Sequence, residues 1–342
     1  HMKKYNNTQN VSLWAKTVSL LMVFAFAVGN VLALPGTTAA NLQTTAGVTT
    51  NAVGSTLNIT APDKAVLTWQ NFGSGADNIA ITDTLNYALP SKNSSVLNIV
   101  AGGASTTIDG SITSNGNVFV LNPNGILVGG GARIDVNGIF LGTSDAANAL
   151  TSYYFQQNGK LPSQDGLVGL AGSTTLTAGS VIKVTDNITI ASKNINLGGA
   201  FIQGNATLIA DGNLTVGSAG LTYVDGNLVA TNTTGTTTLG SAGNILNITG
   251  NLTSTGGTTS TFGIANNAGT VQAKTATING GTVVADKIYT TNLTVGGNNV
   301  TANINPVAIN STVNVTGNGN VAVSSPVAVT VNLTNALDTG TT

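Results

Sequence analysis

The sequence lacks most of the side chains on which enzyme chemistry depends. Its 342 residues contain no cysteine and a single histidine, and all 12 acidic residues are aspartate, so that glutamate is absent as well. Without cysteine the chain has neither disulfides nor thiolate ligands for a metal ion. Aspartate favours turns whereas glutamate favours helices, so the acidic composition already disfavours a helical protein.

The first 33 residues have the pattern of an export signal. Lysines precede an apolar run at 18–28, which at about eleven residues is too short to span a bilayer, since a span needs about 20. Small residues follow, and the sequence ending at Ala33 fits a signal-peptidase site, which predicts a mature start at Leu34. We interpret residues 1–33 as a tag residue, His1, followed by a signal peptide, and a buried core helix is the alternative.

The rest of the chain carries little charge and no basic cluster. Residues 34–342 keep 11 − 3 = 8 basic and 12 acidic groups, a formal charge of −4, and Arg133 is the only arginine. Nucleic-acid binding requires clustered basic side chains that neutralise phosphates. We therefore expect no nucleic-acid partner, and no basic patch for an anionic membrane surface.

Short alternating apolar runs recur along the chain and predict β-strands. Val, Ile, Leu and Thr alternate with polar residues in STLNIT (55–60), VLNIV (96–100), NITIA (187–191) and NLTVG (213–217). Glycine, asparagine and aspartate separate the runs, and no helical apolar period continues over three turns. The sequence therefore predicts an all-β protein.

A glycine–asparagine–aliphatic step precedes several of these strands. It occurs at 212–214, 226–228, 243–245 and 250–252, so that successive copies are 14, 17 and 7 residues apart. Several strands in each coil of about twenty residues would produce this irregular spacing. Because stacked coils bury small aliphatic side chains in a continuous column, we predict a β-solenoid. A β-sandwich or a chain of small β-domains is the alternative.

The segment GNVFVLNPNGILVGGGARIDVNGIFLG (116–142) contains a distinctive turn sequence. Pro123 fixes φ at the first central position of a turn, and Asn124 and Gly125 tolerate the left-handed conformation that follows. The chain can then reverse sharply between VFVL and ILVG. Asparagines at equivalent corners of adjacent coils can also bond to exposed backbone groups or stack into a ladder.

These residues carry a family resemblance. The sequence from 118 to 145 resembles the signature region of the secretion domain of filamentous-haemagglutinin-type two-partner secretion exoproteins. VLTWQNFGSGADNIAITD (66–83) is similar to that family's Trp-x-x-Phe segment, and residues 94–117 and 165–182 are similar to the stretches before and after the signature. Ile99 departs from the pattern, since members commonly carry arginine in that segment.

The resemblance implies a fold and a domain organisation. The fold would be a right-handed parallel β-helix with an N-terminal cap and a small excursion from the helix, which we place at 149–166. A secretion domain would span 34–265, and residues 266–342 would continue the coils or begin a distal region.

The resemblance also implies a partner and a recognition site. The partner would be an outer-membrane β-barrel transporter with periplasmic POTRA domains. The expected recognition residues are Asn122, Pro123, Asn124, Gly125 and Ile126, with Trp69, Asn71 and Phe72 in a secondary role. The alternative for all of them is that they only shape turns and a cap. The protein would be an adhesin- or haemagglutinin-like exoprotein at the surface of a Gram-negative bacterium, in contact with ligands on host or neighbouring cells.

Other classes of function remain open. Some parallel β-helices are pectin lyases or polygalacturonases, but such chemistry needs grouped carboxylates, and the aspartates here are isolated in the sequence. We expect no enzyme activity, no metal site and no cofactor. A structural surface or matrix protein without a dedicated transporter is the main alternative. Ice binding is a weaker one, because the threonine-rich stretches at 231–240 and 253–263 contain no regular Thr-x-Thr at coil spacing.

Overall fold

A computed structural model provides the architecture. It describes residues 30–32, 40–69, 78–79, 82–144, 149–161, 170–241, 243–256, 259–262, 270–286, 288–304, 311–317, 320–323, 329–334 and 337–338. The interpretation of residues 1–33 as a signal peptide falls almost wholly outside these ranges and stays a prediction. Within the ranges, no helix is both long enough and apolar enough to cross a membrane.

The N-terminal strands form an antiparallel cap. Strand β1 (Asn30–Leu32) pairs with β2 (Ala40–Thr44), and β2 pairs antiparallel with β5 (Ala65–Trp69). Strands β3 (Thr49–Val53) and β4 (Thr56–Thr60) form an antiparallel hairpin. Because β4 and β5 are also the first strands of the parallel coils, β2 covers the edge of β5 that would otherwise be open.

The remaining strands stack in register into three parallel ladders. The first ladder contains β4, β7 (Thr84–Ala88), β10 (Ser111–Ser114), β13 (Arg133–Val136), the first halves of β16 (Val181–Ser192) and β18 (Phe201–Ala210), β20 (Leu221–Asp225), β23 (Ile245–Ile248), β26 (Thr270–Gln272) and β28 (Ile288–Tyr289). The second contains β5, β8 (Ser95–Val100), β11 (Asn117–Leu121), β14 (Gly138–Gly142), the second halves of β16 and β18, β21 (Leu228–Asn232), β24 (Asn251–Gly256), the first halves of β27 (Thr275–Asp286) and β29 (Asn292–Ile304), β30 (Ser311–Gly317) and β32 (Val329–Thr334). The third contains β6 (Asn78–Ile79), β9 (Thr106–Ile108), β12 (Ile126–Val128), β15 (Ser173–Leu176), β17 (Asn194–Leu197), β19 (Leu214–Val216), β22 (Thr236–Leu239), β25 (Thr259–Phe262), the second halves of β27 and β29, β31 (Asn320–Val323) and β33 (Leu337–Asp338).

Inward-facing side chains of successive coils stack into continuous apolar columns. In the first ladder, each member of one column pairs with the next, and none is more than 2% exposed: Leu57, Leu85, Ile112, Ile134, Ile182, Ile202, Val224 and Ile248. The step from Ile134 to Ile182 covers 48 residues (182 − 134), about twice the others, so additional chain is inserted there. This column is the core that the alternating pattern predicted.

The glycine–asparagine–aliphatic steps lie at all three corners of the coils. At the corner before the second ladder they form an asparagine ladder: the N–H of Asn227 donates to Oδ1 of Asn205 over 2.9 Å, and the N–H of Asn251 donates to Oδ1 of Asn227 over 2.8 Å. Asn213 precedes a third-ladder strand and Asn244 a first-ladder strand. The copies are therefore irregularly spaced because they alternate between corners.

The inserted chain forms an excursion from the helix. An antiparallel bridge joins Ser144 to Leu170, and helix α1 (Ala149–Asn158) lies between these two residues. Phe155 on α1 is fully buried against the outer face of the second ladder, where its ring meets that of Phe119 edge-on at a centroid distance of 5.1 Å. The helical structure of this segment was not predicted.

The predicted parallel β-helix with its cap and excursion is confirmed. The described strands beyond residue 265 continue the same ladders. The predicted domain boundary at 265 stays a prediction.

The apolar column sets the stability of the coils. Replacing Ile202, which is fully buried, with alanine leaves a cavity between two neighbouring coils and is expected to lower the free energy of unfolding by about 2–5 kcal/mol. Val229 is 38% exposed, and its replacement by alanine is expected to change the free energy of unfolding by less than about 0.5 kcal/mol. Urea unfolding followed by circular dichroism compares the two variants. Equal losses of stability would contradict the claim that the buried column sets the stability of the coils.

Candidate functional site

The Asn-Pro-Asn-Gly segment forms a tight turn at the corner between β11 and β12. The N–H of Gly125 donates to the carbonyl oxygen of Asn122 over 3.1 Å, and the N–H of Asn124 donates to Oδ1 of Asn122 over 2.9 Å. Gly125 has a φ of 115°, as predicted, and glycine adopts such a value without strain. Asn124, the second central residue of the turn, keeps a negative φ as in a type I turn, so that of the two residues only Gly125 uses the left-handed conformation.

Asn122 ties the turn to the coils on both sides. Its side chain is fully buried, and Nδ2 donates to the carbonyl oxygen of Ala104 (2.9 Å) and to Oγ1 of Thr106 (2.8 Å) in the preceding coil. Its backbone N–H donates to the carbonyl oxygen of Gly142 in the following coil over 3.0 Å. Both ends of the Asn122 amide are therefore used inside the fold, Oδ1 by Asn124 and Nδ2 by the preceding coil.

The five motif residues differ sharply in exposure. Asn122, Gly125 and Ile126 are buried and Pro123 is half-buried, so that Asn124 is the single exposed member. Even Asn124 is held in place, because its Nδ2 donates to the carbonyl oxygen of Gly102 over 2.9 Å. In the folded domain, a partner can reach the side chain of Asn124 and little else of the motif.

The returning stem of the excursion covers the turn. A Cβ atom on Gly172 would lie 2.6 Å from the backbone nitrogen of Gly125 and 2.7 Å from the carbonyl oxygen of Pro123. Thr143, at the departing stem, donates from Oγ1 to the carbonyl oxygen of Gly172 over 3.0 Å. Glycine is therefore required at 172 for the stem to stack on the turn, a role that the sequence analysis missed.

Trp69 lies in the core rather than beside the turn. It is fully buried, and its Nε1 donates over 2.9 Å to Oδ1 of Asn98, which also accepts a hydrogen bond from the hydroxyl of Tyr87 over 2.8 Å. Nδ2 of Asn98 donates to the carbonyl oxygen of Phe119 over 3.1 Å. Asn98 therefore links Trp69 to β11, the strand that leads into the turn. Of the other secondary residues, Asn71 and Phe72 lie outside the described residues.

Asn98 was not predicted to be a site residue, although the sequence around it contains a signal. Asn98 is an amide within SVLNIV, a strand in which every residue is buried. A buried amide needs partners, so an asparagine in a strand buried on both faces indicates an internal network.

Ile99 points to the opposite face of β8 from Asn98. It belongs to an apolar cluster that includes Phe119, Phe155 and Leu161 under the excursion. The apolar side chain of Ile99 thus packs in the contact between the coils and the excursion.

The described ranges contain neither a cluster of metal ligands nor a network of ion pairs. They contain no group of three or more His, Cys, Asp or Glu side chains that could hold a metal ion. The single ion pair among them joins Lys183 to Asp135 over 2.9 Å, and both side chains are well exposed.

Comparison with known proteins identifies the family. The family model described as the TPS secretion domain matches residues 33–339. The chain therefore belongs to the family of two-partner secretion domains. Such domains are secreted by Gram-negative bacteria through a dedicated outer-membrane transporter.

Individual relatives agree with this assignment. Two heme/hemopexin-binding proteins of Haemophilus influenzae are 36% identical over 77 residues and 34% identical over 83 residues. The matched stretches cover 22% and 24% of this chain and 8% of each relative. The crystal structure of the HMW1 secretion domain from Haemophilus influenzae superposes with a TM-score of 0.50 at 16% identity, over 91% of this chain and 97% of that one, so the likeness is one of fold.

The two asparagines of the turn are expected to differ in their effect on stability. Asn122→Ala removes three side-chain hydrogen bonds at a buried site and should lower the free energy of unfolding by about 2–4 kcal/mol. Asn124→Ala removes one bond from an exposed side chain and should cost less than about 1 kcal/mol. Urea midpoints of the two purified variants measure the difference, and an equal loss would refute the assigned roles.

Burial raises the pKa of Tyr87 well above its ordinary value, and the hydrogen bond to Asn98 only partly opposes this. The folded state therefore keeps the phenol proton at a pH at which the unfolded chain releases it. Its contribution to stability is complete below about pH 10 and falls above it by about 1.4 kcal/mol per pH unit. Between pH 9 and pH 11, a range that brackets the ordinary tyrosine pKa of about 10, the free energy of unfolding should fall by about 1.4 kcal/mol more in the parent than in Tyr87→Phe. Identical slopes would contradict the prediction.

Proposed function

We propose that this chain is the secretion-competent N-terminal part of an adhesin- or haemagglutinin-like exoprotein. A signal peptide at 1–33 directs it to the periplasm, where the POTRA domains of its transporter recognise it, and the exoprotein is then displayed at the cell surface. Its role there is recognition of ligands on host or neighbouring cells, without catalysis. Family membership and the export-signal pattern of the sequence support this proposal.

The burial of the turn carries the proposal furthest. Asn122, Gly125 and Ile126 are buried in the folded coils. The side-chain amide of Asn122 has partners at both ends, since Nδ2 donates to the carbonyl oxygen of Ala104 and Oδ1 accepts from the N–H of Asn124. A transporter that reads these residues must therefore bind the segment before the coils stack. The motif then has two successive roles, first as a recognition sequence in the extended chain and afterwards as a corner of the helix.

Coil stacking also makes export one-way. Each coil that emerges buries its inward side chains on the previous one and pairs its backbone with it, so folding outside the membrane opposes return of the chain. The cap provides the first edge on which the coils at β4 and β5 can build.

The test separates recognition from folding. Secretion of Asn122→Ala and Asn124→Ala is measured by pulse-labelling in cells with and without the transporter. Ile202→Ala is the matched control, because it destabilises the coils to a similar extent without touching the motif. The proposal predicts that Asn122→Ala stays in the periplasm whereas Ile202→Ala is exported.

Two outcomes would overturn it. If Asn122→Ala and Ile202→Ala lose secretion equally, the turn acts only through stability. If all variants leave the cell without the transporter, a structural surface protein with another export route is the better description.

A further inference from the structure

A polar cavity lies between the end of the excursion and the outer face of the second ladder. Its volume is about 260 Å³, and its walls come from the C-terminal end of α1, the rings of Phe119 and Phe140, and the corner that precedes the second ladder. This volume is slightly below the ~300–1,000 Å³ typical of pockets for drug-sized ligands. The cavity therefore suits a smaller molecule.

The corner column along one wall of the cavity contains one glycine. Ser95, Asn117, Gly138, Asn187 and Asn205 occupy equivalent positions in successive coils, and polar side chains fill every level except that of Gly138. A Cβ atom on Gly138 would lie 2.7 Å from Oδ1 of Asn117. The glycine therefore leaves room for the Asn117 amide, which lies over it at the edge of the cavity.

Several polar atoms at the cavity are not used by the fold. Asn117 accepts from Asn137 through Oδ1, Asn187 donates through Nδ2 to Thr189, and Asn158 donates through Nδ2 to the backbone of α1. Within the described ranges, no protein partner is recorded for Nδ2 of Asn117 or for the Oδ1 atoms of Asn187 and Asn158.

Two charged side chains complete the lining. Lys160 and Asp186 are both exposed and both line the cavity, and neither belongs to the ion pair recorded in the described part of the chain. The set therefore combines amide donors, amide acceptors, one cation and one anion, with no net charge. A strongly charged ligand would leave one of the two charges unmatched.

From this arrangement we infer that the cavity is a binding site for a neutral monosaccharide. A hydroxyl group donates and accepts hydrogen bonds, so a ring carrying several hydroxyls can use the amide donor, the amide oxygens, the ammonium and the carboxylate together. Phe119 and Phe140 form the floor of the cavity, and because they are only 6% and 1% exposed, binding has to come from the hydrogen-bonding groups around them.

Saturation-transfer difference NMR on the purified full chain tests the inference with D-glucose, D-galactose and D-mannose as probes and glycinamide as a non-sugar amide. At least one hexose is expected to bind with a Kd of about 1 mM, and glycinamide is not. Because no transporter takes part, the result is independent of the proposed export function.

Variants locate the binding. Gly138→Ala displaces the Asn117 amide that lines the cavity, and Asp186→Asn and Lys160→Gln alter exposed lining groups that the fold does not need. Each is expected to raise the Kd at least about tenfold. Lys193→Gln, at an exposed lysine outside the cavity, is the matched control and should leave the Kd unchanged. The inference is overturned if no hexose binds, if glycinamide binds as well as the hexoses, or if Asp186→Asn and Lys160→Gln leave the Kd unchanged.

Discussion

Backbone pairing between successive coils is the constraint on which the rest of this structure depends. Each strand must lie in register on the strand of the previous coil, so every corner must turn within a few residues and still satisfy its polar backbone groups. Asparagine meets this need at the corners, as where Oδ1 of Asn205 and Asn227 accept the backbone N–H groups of the next coil. Glycine meets it where a coil passes too close for a Cβ atom, as at Gly172.

The Asn-Pro-Asn-Gly turn is the most heavily bonded instance of this rule. It bears the excursion on one side and rests on the loop at 101–105 on the other, and Asn122 bonds in both directions. A segment of this kind has little surface left for a partner once it has folded. Its use as a recognition sequence and its use as a corner are therefore compatible only if they follow one another in time.

Much of the fold could be predicted from the sequence because its signals are local. Alternation of apolar residues marks the strands, and Pro123 and Gly125 mark the turn, whereas the excursion at 149–166 was expected only from the family resemblance. The helical form of the excursion could not be predicted, since the sequence at 149–158 has no apolar face that repeats over three turns, and among the described side chains of α1 only Phe155 is fully buried.

The parts of the site that escaped prediction depend on which coils are neighbours. The role of Asn98 requires that Trp69, Tyr87 and Phe119 surround it, and these residues come from three different strands. Gly138 leaves room for the Asn117 amide only because its coil pairs with that of Asn117. Register between coils is set by the whole stack, so a single sequence read locally does not contain it.

Hydrogen exchange at the turn tests the central claim most directly. The N–H groups of Asn122, Asn124 and Gly125 all have partners, and stacking from both sides should let them exchange only when the coils unfold. The account predicts protection equal to that of the core amides of β11 and β14. Exchange at the rate of an exposed loop, with the core amides still protected, would contradict it.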